Sequence, residues 1–219
     1  MDVSLSKSAV SNTVLRNTYL LLAATMVPTV IGAYLGVKFG LPAISGWGWL
    51  LVLLVMFGFI FAIQALRNSA AGIPVLLLFT GLMGATLSPL LVRTLQFTNG
   101  AELIMLAFGG TAAIFVSLAA YATVTKRDFS GMGKYLFIAL IVLIIAGIAN
   151  IFLKLPALVI LFSIVAIVIF SLYIVYDVQQ IVNGGETSYI SATLSLYLDI
   201  INIFQNLLQL LGIFGGDDD

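Results

Sequence analysis

Apolar residues run along this chain in long blocks, broken by short clusters of charged residues, Gly, Pro and Asn. The blocks lie at about 19–39, 47–66, 73–92, 103–124, 135–155, 157–182 and 190–213. Each is too long and too evenly apolar for a strand or an ordinary surface helix. Each predicts a membrane-spanning α-helix, because about 20 residues at 1.5 Å rise cross a hydrocarbon layer about 30 Å thick. Pro28 falls inside the first block and predicts a kink, while Pro74 and Pro89 fall near the ends of the third. Lys154-Leu155-Pro156 separates the fifth and sixth blocks so closely that those helices must be antiparallel neighbours. Asn183-Gly184-Gly185-Glu186 predicts a turn between the sixth and seventh. The expected fold is an all-α membrane protein, a seven-transmembrane helix bundle. A cytosolic tail covers 1–18, the helical domain 19–214 and a short acidic tail 215–219. No internal repeat of the kind that marks inverted-repeat transporters is visible.

Composition sharpens this reading. Of 219 residues, 62% are hydrophobic and 8% are charged, against about 45–50% and about 25% in soluble domains. Seven spans need about 140 residues, close to the whole apolar content of the chain. The absence of His excludes a Ser-His dyad, an H-E-x-x-H zinc site and His-ligated haem. The absence of Cys excludes thiol catalysis, disulfides and Fe–S clusters. Nine basic and nine acidic residues give zero net charge, and no basic run points to a nucleic-acid partner. No cofactor is expected.

Residues 1–18 are polar, carry Lys7 and Arg16, and lack an apolar core before a small-residue cleavage site. They read as a cytosolic tail and not as a signal peptide. Lys7, Arg16, Arg67, Lys126, Arg127 and Lys134 lie on the N-terminal side of the spans, against Lys38, Arg93 and Lys154 on the other. That excess places the N-terminus in the cytoplasm. With seven spans Asp217, Asp218 and Asp219 lie outside; a six-span arrangement with a re-entrant last segment would put them inside. The length and apolarity of 190–213 favour the full span.

Two carboxylates interrupt the spans, Asp177 in the sixth and Asp199 in the seventh. A charge at mid-membrane costs roughly 2.5–3.5 kcal/mol on insertion scales, so each needs a partner or a proton. Measured from a turn centred near Glu186, Asp177 lies nine residues before it and Asp199 thirteen after. Their depths therefore differ by about 6 Å, about one helical turn, and the two acids can meet between the helices. Ser195, Asp199, Asn202, Asn206 and Gln209 share one face of the seventh helix, and Tyr173, Asp177 and Gln180 share one face of the sixth. Amides and hydroxyls so placed ordinarily hold helices together by hydrogen bonds. Two facing acids fit that role poorly, because two anions repel in a low dielectric. Desolvation and repulsion both favour a neutral acid, so the pair should titrate as one unit sharing a proton. Such a pair is a pH sensor and, when ionised, a ligand for a hard cation such as calcium. Arg67, at the end of the second block, is the candidate counter-charge; its ordinary alternative is a positive-inside anchor.

At these residues the chain resembles the Bax inhibitor-1 (TMBIM) family over nearly its whole length. The strings that carry the likeness are Ile148-Ala149-Asn150-Ile151-Phe152, Ser171-Leu172-Tyr173-Ile174-Val175-Tyr176-Asp177 and Ser195-Leu196-Tyr197-Leu198-Asp199-Ile200-Ile201-Asn202. Val14-Leu15-Arg16-Asn17-Thr18-Tyr19 and Gly184-Gly185-Glu186-Thr187-Ser188-Tyr189-Ile190 look like the YccA-type branch of bacterial inner-membrane proteins. The resemblance implies two roles. Family members with both acids are described as pH-sensitive calcium leak channels in which the aspartate pair and a second-helix arginine form a latch, matched here by Asp177, Asp199 and, more loosely, Arg67. The bacterial branch is described as binding and restraining the membrane protease FtsH, with the N-terminal tail as the protease's handle. An intramembrane aspartyl protease of presenilin type is the remote alternative. Tyr176-Asp177 mimics half of that signature, but Leu196-Tyr197-Leu198 stands before Asp199 where Gly-x-Gly is needed for substrate backbone to approach.

Overall fold

An apolar solvent leaves backbone N–H and C=O groups no partner outside the chain, and each long apolar block is accordingly helical. The computed structural model describes residues 2–39, 47–153 and 155–216; Lys154 and the acidic residues 217–219 lie outside them. The helices are α1 (Asp2–Lys38), α2 (Trp47–Ala65), α3 (Gly72–Thr86), α4 (Ser88–Thr94), α5 (Gly100–Val124), α6 (Gly133–Leu153), α7 (Pro156–Val182) and α8 (Tyr189–Gly215). A single 3-10 turn, Ser130–Met132, precedes α6, and no strand occurs among the described residues. Prolines begin helices here as much as they bend them. Pro156 opens α7 and Pro74 and Pro89 sit in first turns, where the missing N–H costs nothing, while Pro28 lies inside α1 without ending it.

Six segments are long and apolar enough to cross a membrane: Ser11–Lys38, Gly72–Thr94, Gly100–Val124, Ser130–Asn150, Pro156–Val182 and Tyr189–Gly215. The second block forms α2, 19 residues of helix, and its stretch Leu50–Ala65 is apolar as well. At 1.5 Å per residue α2 reaches about 28 Å, close to a hydrocarbon core about 30 Å thick. The fold is thus an all-α membrane helix bundle with six long apolar segments and one further apolar helix, α2. From α2 onward, with α3 and α4 together answering to the third block, the helix limits fall within three residues of those read from the apolar blocks. At the N-terminus α1 begins at Asp2, so the polar segment 1–18 is largely helical, with Ser11, Val14 and Thr18 buried.

Large apolar side chains cover the outside of the helices. Leu54 and Phe61 of α2 are each 73% exposed, and Ile138, Val142 and Ile145 of α6 are exposed as well. Exposed apolar surface on this scale marks a face built for lipid.

The chain divides into two compact units. The first comprises residues 1–93 and 183–197, the second 94–182 and 198–219, so α8 starts in one and ends in the other. In the first unit α1 lies directly on α3. A side chain at Gly32 would strike the Gly81 carbonyl oxygen, and one at Gly84 would strike the Thr29 carbonyl oxygen. Lipid tails offer helices no hydrophobic drive to associate, so close backbone approach at small residues supplies the contact instead. Around this seam sits a buried polar cluster. The Thr29 and Tyr197 hydroxyls share a hydrogen bond of 3.0 Å, and the Tyr197 hydroxyl donates to the Thr80 carbonyl at 3.2 Å. Tyr197 and Phe79 are fully buried and meet edge to face at 6.2 Å.

The glycine seam gives the first test. Gly84→Val should force α1 and α3 apart and lower the stability of the detergent-solubilised protein by about 1–3 kcal/mol, the usual cost of overpacking. Gly58→Ala, where an added Cβ meets nothing within 4 Å, should not destabilise. Equal melting temperatures for the two variants would remove the seam from the account.

Candidate functional site

α7 and α8 are joined by residues 183–188. Gly184 takes φ 75° there, a conformation that residues with a Cβ avoid. Glu186 fastens the end of the turn, its Oε1 accepting the N–H groups of Thr187 and Ser188, each at 2.8 Å. The turn brings α8 back along α7, and two contacts record the pairing. Asp177 of α7 and Asp199 of α8 lie in carboxyl-to-carboxyl hydrogen-bonding contact. Deeper along both helices, the Ser163 hydroxyl donates to Gln209 Oε1 at 3.2 Å. Asp199 is 4% exposed, Asp177 is half-buried, and Tyr173, one turn before Asp177, lies near both carboxyls. One oxygen of Asp199, Oδ2, is buried with no hydrogen-bond partner.

The remaining residues singled out from the sequence divide. Asn202 and Asn206 share the Asp199 face, but each donates its side-chain N–H to its own helix, to the Leu198 carbonyl at 2.7 Å and the Asn202 carbonyl at 2.8 Å. Gln180 is half-buried on α7. Ser195 is half-buried on α8 and belongs to the other unit. Arg67 also belongs to that unit, in the turn after α2, with an exposed side chain; its backbone carbonyl accepts the Ser188 hydroxyl at 2.6 Å. The structure therefore gathers Asp177, Asp199 and Tyr173 into one site.

Gln179 escaped the sequence reading. It is buried, and its side chain clamps the loop between α5 and α6: Oε1 accepts the Phe129 N–H at 2.8 Å and Nε2 donates to the Arg127 carbonyl at 2.7 Å. A side chain at Gly133, where α6 begins, would come within 2.6 Å of the Tyr176 hydroxyl. Tyr176, Asp177 and Gln179 thus tie one turn of α7 to α6, to Asp199 and to the loop. Helical spacing from Asp177 selects Gln180 at i+3 and passes over its neighbour; two adjacent glutamines at the end of a span were the available signal. Within the loop the Ser130 hydroxyl and N–H both donate to Asp128 Oδ1, and these bonds hold the Asp128 carboxyl below the usual carboxylate range. A lowered folded value means that this stabilisation is present above the unfolded value and is lost only as pH falls through the folded one. The loop is therefore held near neutral pH.

Chemically, the pair can hold a proton or meet a cation. Calcium takes six to eight oxygens, and no group of three acidic, His or Cys side chains occurs among the described residues. Two carboxyls beside a tyrosine suit a passing ion better than a resident one. Leu196 and Tyr197, shortly before Asp199 where a presenilin-type signature has Gly-x-Gly, are fully buried.

Lipid-facing helices with a carboxyl pair between two of them define an integral membrane protein. Residues 11–216 match the family described as Inhibitor of apoptosis-promoting Bax1, and the chain belongs to that Bax inhibitor family. It is 40% identical over 204 residues to the Modulator of FtsH protease YccA of Escherichia coli K12, covering 93% of this chain and 91% of the relative. The same figures hold for a second Escherichia coli strain, where the relative is named Inner membrane protein YccA. A Vibrio cholerae relative, named an uncharacterized membrane protein, is 39% identical over 216 residues, 98% of this chain and 96% of its own. The family and its Escherichia coli member are thus described as an inhibitor and a modulator.

Proposed function

We propose that this protein binds and restrains an FtsH-type protease in the bacterial inner membrane. The observation that carries the reading is the 40% identity, spread over 93% of the chain, to a relative named for modulating that protease. The helices cross seven times, α2 included, with the N-terminus in the cytoplasm and the C-terminus in the periplasm. The six basic residues of the N-terminal side, among them Arg127 and Lys134, support this orientation. The residues before the Ser11–Lys38 segment then stand where a cytosolic protease can grip them.

A second reading, favoured by the Asp177–Asp199 contact and the unpartnered Asp199 Oδ2, is a proton-controlled cation leak. With one proton shared, the pair holds α7 against α8; a second proton or a calcium ion on the carboxylates replaces that bond. A charge-biased contact between two helices is the kind of two-state element that such switches use.

Two experiments test these readings. Tagged protein from solubilised inner membranes should capture FtsH, and its addition to FtsH proteoliposomes should slow degradation of a membrane substrate several-fold. Removing residues 2–10, which leaves the Ser11–Lys38 span whole, should slow the protein's own turnover by FtsH without unfolding it. No capture and unchanged degradation would end the modulator reading. For the leak, calcium uptake into liposomes should rise and fall with pH, and Asp177→Asn or Asp199→Asn should each flatten that profile, since an amide does not titrate. The double variant should add little to either, as expected of residues acting as one unit. Wild-type profiles in both single variants would reduce the pair to a helix contact.

A further inference from the structure

Away from the acid pair, the loop between α5 and α6 gathers positive charge. Lys126, Arg127 and Lys134 stand within nine residues, all exposed. Against them is one acid, Asp128, whose Oδ1 turns back onto the Ser130 N–H and hydroxyl. Three bases and one acid leave the loop at +2. Its backbone is fixed as well. Gln179 of α7 accepts the Phe129 N–H at 2.8 Å and donates to the Arg127 carbonyl at 2.7 Å. The Phe129 ring meets Tyr121 of α5 edge to face at 6.2 Å, and Lys134 Nζ lies 4.9 Å from the centre of the Tyr135 ring. Tyr121 and Tyr135 are exposed, and tyrosines at the end of a span sit at the level of the lipid headgroups.

The two helices that this loop joins do not close on each other. α5 and α6 each pack on α7 and, among the described residues, not on one another. Two helices that straddle a third without meeting leave a furrow between them. α7 keeps an exposed apolar stripe, Leu161, Val165, Val168 and Leu172, at steps of four, three and four residues. One further step reaches Tyr176, whose hydroxyl lies against Gly133 at the start of α6, so the stripe leads to the charged loop. From Leu161 to Leu172 it runs about 16 Å, about half of a hydrocarbon core about 30 Å thick.

We propose that the second unit binds a phospholipid with an anionic headgroup, its phosphate held by Lys126, Arg127 and Lys134 and an acyl chain laid along the α7 stripe. Charge and shape together select this occupant. A soluble anion would leave the furrow uncovered, a neutral lipid would leave the cations unpaired, and an apolar helix of another protein would fill the furrow without bringing an anion. The Arg127 guanidinium can take two phosphate oxygens at once, while the lysines act as point charges. Basic groups beside membrane helices attract anionic lipids in this way. Because Gln179 already holds the loop, binding has little backbone left to order.

Native mass spectrometry of the full-length protein in detergent, titrated with phosphatidylglycerol, provides the test. Phosphatidylglycerol should be retained on the order of tenfold more tightly than phosphatidylcholine. Arg127→Gln combined with Lys134→Gln should remove that preference. Arg16→Gln combined with Arg93→Gln, an equal loss of charge in the first unit, should leave it intact. Gln179→Leu changes no charge but releases the loop and should weaken binding several-fold, an effect that attraction to charge alone would not produce. Equal retention of the two lipids by the wild type overturns the site. Equal losses in the two paired variants also overturn it, since they would mean a diffuse attraction to the whole surface. Displacement of the lipid by an equal concentration of glycerophosphate overturns the lipid as occupant in favour of a soluble phosphate. Should Gln179→Leu fail to fold, the paired surface variants decide.

Discussion

A hydrogen bond between two carboxyl groups exists only while they hold a proton between them. Asp177 and Asp199 bring two carboxyls into hydrogen-bonding contact inside a helix bundle, with Asp199 only 4% exposed. Two anions there would repel through a low dielectric, and a lone anion would cost several kcal/mol to bury. The pair is thus tolerable in one charge state and strained in others. In the second unit Ser163 and Gln209 pin α7 to α8 deeper down, and Tyr173 lies beside the carboxyls. Gln179, two residues from Asp177, holds the α5–α6 loop.

The first unit solves a different problem. It has no carboxyl pair, and its helices meet through absence of side chain: Gly32 on Gly81 and Gly84 on Thr29. Tyr197 closes the seam, spending its hydroxyl on Thr29 and the Thr80 carbonyl. Tyr197 and Asp199 are two residues apart on α8, which therefore takes part in the polar interior of each unit.

Much of this was legible before any coordinates. Long apolar blocks predicted the helices because in lipid no other structure satisfies the backbone, and the two acids stood out because almost nothing else in the spans is charged. Helical spacing from the Glu186 turn brought Asp177 and Asp199 to within a turn of each other, and they are in contact. Two features were not legible. Asn202 and Asn206 bond back to their own helix, which no periodicity encodes. Gln179 acts on a loop 50 residues away in sequence, a separation that spacing along one helix cannot reveal.

The central claim is that Asp177 and Asp199 share one proton within the membrane. Infrared difference spectroscopy of the protein in lipid, titrated through neutral pH, measures this directly. The account predicts a protonated-carboxyl C=O band at neutral pH, shifted by deuterium exchange and abolished by Asp199→Asn. A spectrum at neutral pH with carboxylate bands alone, identical in wild type and Asp199→Asn, would contradict it.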